Sequence, residues 1–217
     1  MSDSTKLAIL GAGNIAREIH HAAAQARGGR FRTVAFVVDA EYRQAPTLEG
    51  VPVLEMEALE RLHAEGVHFV VGIGEPKVRR RMLDRLQERV PLAPFATVIH
   101  QSVVLMSGCQ IGAGVYLAPS TTLAIACRIE DHAIVNQHVS LGHDCLVGQN
   151  AVISPGCVLS GWTRVGRDSF LGSGVLTYPK VQIGDSCVVS AGVVVSRNLR
   201  AGHKLILKPN TMTLPPD

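Results

Sequence analysis

The chain is poor in aromatic residues. Phenylalanine, tyrosine and tryptophan make up 4 % of its 217 residues, with a single tryptophan. That is too few for the stacking platforms on which nucleic-acid bases are held. It also lacks a strong charge of either sign: the net charge is +3 and the basic residues are spread evenly, which argues against a nucleic-acid groove. No apolar run approaches the roughly 20 residues of a membrane helix. The first one, residues 7–10, leads straight into a glycine turn and reads as a strand, not a signal peptide, so the expected location is cytoplasmic. There are five cysteines but no Cys-x-x-Cys. What is plentiful is apolar material, 47 % against 18 % charged, enough to bury a core.

Two grammars divide the chain. Up to about residue 90, strand-like stretches at 7–10, 34–38, 52–54 and 68–73 alternate with helical ones at 16–26, 57–65 and 76–88. This β-α-β order predicts a small Rossmann-like α/β domain over residues 1–90. Residues 91–98 read as a connection. From Ile99 to Val195 every sixth residue is Ile, Leu or Val at sixteen of seventeen positions, and Thr177 alone breaks the run. A period of six fits neither an amphipathic helix nor an alternating strand. It is the hexapeptide signature of a parallel β-helix over 99–200, with three hexapeptides per triangular coil and residues eighteen apart stacked. Residues 201–217 form the tail. The position four after each aliphatic residue also points inward, and Cys109, Cys127, Cys145, Cys157 and Cys187 all fall there. They read as small apolar fillers, not nucleophiles, zinc ligands or disulfide partners, and fit a reducing compartment.

A β-α-β head followed by hexapeptide coils resembles the bacterial sugar acyltransferases of the sialic acid O-acetyltransferase and UDP-bacillosamine N-acetyltransferase type. The resemblance implies a left-handed β-helix, a homotrimer, and acetyl-CoA bound in clefts between neighbouring β-helices. It further implies a sugar or nucleotide-sugar acceptor and no metal. The family's catalytic segment, Asn-x-x-x-x-x-x-His-Glu/Asp-Cys, is matched by the stretch from Asn136 to His143-Asp144-Cys145. This places the family's base on His143, its acidic neighbour on Asp144 and its asparagine on Asn136. Two features depart from the pattern. A downstream histidine of some relatives is Val152 here, and the Gly-x-Pro-Ala that closes over CoA in many has only a partial echo in Lys208-Pro209-Asn210.

Acyl transfer from a thioester needs a nucleophile, a proton acceptor and a site for the developing oxyanion. Histidine titrates near neutrality and serves as acceptor. Lying two places after Leu141, His143 falls on the outward part of its coil. A neighbouring polar group would orient the ring; Asp144 and Asn136 are both candidates. One coil further stands Gly161, a turn glycine whose N–H can also meet an oxyanion. Gly172 and Ser173 are candidate acyl-CoA contacts, and Trp162 a candidate trimer contact. With the cysteines inside and no serine tied to His143, direct attack by the sugar is the simpler mechanism. The favoured acceptor is the amino group of a nucleotide-linked amino sugar; a hydroxyl of a sialic-type sugar is the alternative.

In the head, Gly11, Gly13 and Asn14 open a helix after a strand, and Asp39 ends the next strand. Together these are the elements of a dinucleotide fingerprint. About 90 residues make only half a dinucleotide fold, however, and the resemblance assigns the pocket to the sugar substrate or its nucleotide, with Gly74 on a second loop. Lys77, Arg79, Arg80 and Arg81 read as a solvated helix face able to draw in an anion. Three rival readings remain. A zinc hydratase of the γ-carbonic anhydrase type would use His138 and His143, but position 102, where a third ligand belongs, is Ser102. The others are a nicotinamide-binding sensor and a non-catalytic scaffold.

Overall fold

A computed structural model describes residues 4–29 and 31–207; Lys208, Pro209 and Asn210 lie outside them. The head runs β1 (Thr5–Leu10), α1 (Asn14–Ala23), β2 (Phe31–Val38), β3 (Thr47–Leu48), β4 (Val51–Glu55), α2 (Leu59–Ala64), β5 (His68–Val71) and α3 (Pro76–Arg89). Its sheet has the order β3-β4-β2-β1-β5, parallel except for the β3–β4 hairpin. That hairpin left little trace in the hydrophobic pattern. It turns on Glu49 and Gly50, both at positive φ, as a two-residue hairpin requires. Helix α1 stops at Ala23 rather than running to residue 26, because the chain turns away to pair with the first coil: Arg27 N–H donates to the Ile99 carbonyl at 2.7 Å.

From Val98 the chain winds as a left-handed parallel β-helix of two-residue strands arranged in three sheets. One, the head-facing sheet, stacks Val98–Ile99, Tyr116–Leu117, Ile134–Val135, Val152–Ile153, Phe170–Leu171, Val188–Val189 and Lys204–Leu205. A second, the open sheet, runs from Val104–Leu105 through Ser140–Leu141 to Val194–Val195, and the third, the polar sheet, from Gln110–Ile111 to Gln182–Ile183. The ladder thus takes in Lys204–Leu205, which the repeat count alone assigns to the tail. Partners are eighteen residues apart throughout the repeat, as in Ser140 against Val158. The inward columns form one continuous core. Each coil must bend three times, and every sixth residue from Gly108 to Gly192 takes a positive φ to do so.

The outer surfaces of the three sheets differ. The polar sheet shows Gln110, Arg128, Arg164 and Gln182 to solvent. The head-facing sheet shows Tyr116, Ile134, Val152 and Phe170, which α1 covers with Ile19, Ala22 and Ala23. The open sheet shows Val104, Val158, Leu176 and Val194, all exposed.

A polar joint ties the head to the corner between the polar and head-facing sheets. Here the expectation of a solvated basic face fails, because Arg79 is 1 % exposed. Its guanidinium donates to Asn150 Oδ1 at 2.6 Å, to the Asn150 carbonyl at 2.7 Å and to the Ile73 carbonyl at 3.0 Å. The Asn150 amide in turn donates to Asp168 and to the Pro76 carbonyl, and Arg80 pairs with Asp168. A cation so deep persists because each of its three nitrogens finds an acceptor. Beside it His132 packs edge-on against Phe95, with ring centroids 4.5 Å apart. Burial, with Arg79 and Arg80 nearby, pushes the His132 imidazole down to about 4, against the pull of Asp131.

A pH dependence follows. The unfolded chain takes up this proton near 6.5 and the folded chain only near 4. Between those values the unfolded state holds more protons, so stability falls as the pH drops from 6.5 to 4, by roughly 3 kcal/mol for this residue. The variant His132→Gln should lose that part of the acid limb, checked by denaturant midpoints between pH 4 and 7.

Candidate active site

The corners of the β-helix carry the candidate residues. Asn136, Gly172 and Ser173 lie at the corner between the head-facing and open sheets, called here the near corner. His143, Asp144 and Gly161 lie at the far corner, between the open and polar sheets. The inner side chains hold these turns. Cys109, Thr121, Cys127, Cys145, Cys157 and Ser169 each donate to the corner carbonyl fifteen residues on, those of Ala124, Asn136, Gly142, Ser160, Gly172 and Gly184, at 2.8–3.3 Å. The cysteines are therefore donors as well as fillers. Burial pushes the Cys145 and Cys157 thiols up to about 11, so they keep the hydrogen they donate. Across a trans peptide the N–H points opposite to the C=O. A carbonyl held inward thus turns the next amide outward, at His143, Gly161 and Ser173.

His143 projects from the far corner into solvent, its side chain 58 % exposed. Its Nδ1 lies 2.8 Å from Asp144 Oδ2. Asp144 is one of the positive-φ corner residues, and from there its carboxylate lies beside the ring. Of the two candidate orienting groups, Asp144 is the one in contact within the chain. The Asn136 amide is buried and donates instead to the Ile153 carbonyl at 3.0 Å, one sheet away from the histidine. The imidazole lies over Gly161, where a Cβ would stand 2.6 Å from His143 Nε2. Only glycine leaves room for the ring there. The Gly161 N–H makes no hydrogen bond to any described residue. Trp162, 47 % exposed, stands edge-on to the imidazole at 6.0 Å. His138 lies at the near corner, away from His143, and among the described residues no three His, Cys, Asp or Glu side chains gather as metal ligands.

In the head, Gly11, Gly13, Asn14, Asp39 and Gly74 all line one cavity of about 680 Å³ at the carboxyl ends of the parallel strands. Gly11 has φ +111° and lies against the Gly72 carbonyl and the Ile73 side chain, and Gly72 packs on Ala16, so the two loops approach closely. Asp39 is paired with Arg85. Ile15 and Gly74 also line a second cavity, about 500 Å³, between the head and the near corner. Its walls include Asn136, Gln137, Ser154 and Glu18, with Gln137 Nε2 donating to Glu18 at 2.9 Å. Sequence reasoning missed Glu18, which carried no motif, and put Arg79 on a solvated face; only the fold sets the two against residues more than seventy positions away.

The comparisons with known proteins agree with this architecture. The sequence profile of the PglD N-terminal domain matches residues 6–86, and that of the hexapeptide repeat of succinyl-transferase matches residues 163–197. Curated protein sequences give no match. The acetyltransferase domain of PglB from Neisseria gonorrhoeae is 27 % identical, with a TM-score of 0.83 over 93 % of this chain and 96 % of that one. PerB from Caulobacter crescentus, solved with CoA and GDP-perosamine, is 29 % identical, with a TM-score of 0.79 over 90 % and 91 %. WeeI from Acinetobacter baumannii, at 22 % identity and a TM-score of 0.81 over 93 % and 96 %, shares the fold. The fold, the repeat and these neighbours together define a hexapeptide-repeat acyltransferase. Within that class the chain resembles the sugar acetyltransferases with a PglD-type head, PglB and PerB among them.

The contact of His143 with Gly161 makes a structural prediction. Gly161→Ala should leave the coils intact and swing the imidazole off its seat. A crystal structure of the variant would check this, and an unmoved ring would contradict it.

Proposed function

We propose that the protein transfers the acetyl group of acetyl-CoA to the amino group of a nucleotide-linked amino sugar, with His143 as general base. The observation that carries the reading is the far corner: an exposed imidazole, braced by Asp144 and seated on Gly161, beside an outward N–H without a partner among the described residues. Two relatives support the chemistry, since PglB has been solved with acetyl-CoA and PerB with CoA and GDP-perosamine.

The nucleotide occupies the 680 Å³ cavity, its phosphates toward the N-terminus of α1. The sugar passes Ile15 and Gly74 into the second cavity, beside Asn136 at the near corner. His143 of the same chain stands one sheet away. A second copy resolves the separation. The apolar open sheet lies between the two corners, and Val104, Val158, Leu176 and Val194 are left exposed by the described residues. Packing the open sheets of three copies about a threefold axis buries them, with Trp162 at the edge. It carries His143 of one copy toward Asn136, Gly172 and Ser173 of the next. Acetyl-CoA lies along that seam.

The sugar amine reacts in its neutral form: His143 Nε2 takes one proton from its nitrogen as the C–N bond forms, and Asp144 stabilises the imidazolium. The amine nitrogen attacks the thioester carbon, the Gly161 N–H meets the oxyanion, and the C–S bond breaks. The thiolate leaves as CoA after taking up the proton, and the sugar keeps the amide.

Two tests follow. The variant His143→Ala should lower CoA release in the presence of a nucleotide amino sugar by about 10³-fold, the scale of a general base, with the trimer intact by light scattering. Mixed trimers decide the seam. Chains carrying only His143→Ala and chains carrying only Asn136→Ala, unfolded and refolded together, should regain activity above either parent. Activity no higher than the parents would mean that both residues serve from one chain.

A further inference from the structure

The aliphatic column breaks once, at Thr177, and the break lies just inside the turn that presents Gly161. Thr163 and Thr177 are buried, 0 % and 4 % exposed, and their hydroxyl oxygens are 2.8 Å apart. Thr163 Oγ1 donates to the Ser160 carbonyl at 2.7 Å. The Ser160 N–H donates to Thr177 Oγ1 at 3.0 Å. These contacts fix the hydrogens. Thr163 spends its own on Ser160, so Thr177 donates to Thr163 and keeps a lone pair for the Ser160 amide.

The preceding far-corner turns are built differently. There the first residue's N–H reaches the backbone of the next coil, Ala124 to the Leu141 carbonyl and Gly142 to the Leu159 carbonyl. Each of their carbonyls takes one inner thiol. At Ser160 the N–H is rerouted to a side chain, and the carbonyl receives the Thr163 hydroxyl and, at 3.2 Å, the Thr163 N–H in addition to the Cys145 thiol. This turn is gripped on both sides of Ser160. The Ser160 carbonyl and the Gly161 N–H belong to one rigid peptide plane, so a grip on the first aims the second.

We propose that Thr163 and Thr177 are positioning residues for acyl transfer, a hydroxyl pair that holds the Gly161 amide on the thioester oxygen as it becomes an oxyanion. The inference rests on the acyltransferase reading of the far corner. Such a donor acts only on the developing charge, so misaiming it slows turnover without weakening binding of either substrate.

The test uses the full chain with acetyl-CoA and a nucleotide amino sugar. T163V and T177V keep the volume and lose the hydroxyl. Each should lower kcat about tenfold, a fraction of the effect of deleting an oxyanion donor, with both KM values within twofold of wild type. T163S and T177S should restore turnover. T163C introduces the thiol that neighbouring coils use; it should fold even where the valine variants do not, and should lower kcat about threefold through its weaker donor. Unchanged kcat in folded valine variants, or in T163C where those fail to fold, overturns the inference, as does an equal loss in the serine variants. Wild-type protein that releases no CoA with any amino-sugar acceptor overturns the acyltransferase reading, and the inference with it.

Discussion

A chain that winds six residues to a side has to turn a corner every sixth residue, and each corner leaves polar backbone at the edge of an apolar core. The burial of those carbonyls is the constraint on which the remaining structure depends. Six of them take a hydrogen from a thiol or hydroxyl fifteen residues earlier. An unmet carbonyl there would cost about 1–3 kcal/mol. Cysteine suits the post because it is small enough for the column and still a donor. The same contacts orient the peptides whose amides face outward at His143, Gly161 and Ser173. Core and site are thus opposite faces of the same peptide units.

The three faces of the prism divide the work. One face is given to the head, one to water, and one is left apolar and open. The two corners that flank the open face carry all the β-helix residues assigned to the chemistry. A single chain holds them a full sheet apart, so the proposed reaction needs the open face to be closed by another copy. In that proposal assembly and catalysis have a common origin in the apolar surface of Val104, Val158, Leu176 and Val194.

The head is held by a different kind of contact. Apolar packing of α1 on the head-facing sheet has area but little direction. The Arg79 joint supplies direction, since a planar guanidinium fits only one arrangement of acceptors. One of those acceptors is the Ile73 carbonyl, in the loop that lines the 680 Å³ head cavity. The same arginine therefore sets the loop against the β-helix wall and keeps the two cavities in line.

The winding was legible in the sequence because burial along a repeating axis writes itself as a strict period: six residues to a side, eighteen to a coil, with cysteines in the small column. His143 came from the resemblance of its segment to the family's catalytic one, Gly161 from the period, one coil further on, and the five head residues from strand-loop-helix order. What only the tertiary structure decided is which polar groups meet. Asp144 rather than Asn136 touches the imidazole because a positive φ places its carboxylate beside the ring, and a backbone torsion leaves no periodic mark. Arg79 looked solvated because its acceptors lie more than seventy residues away, on a coil that α3 reaches only after folding. Thr177 was visible as an exception, yet its purpose was not, because hydrogen bonds depend on distances that a one-dimensional pattern does not contain.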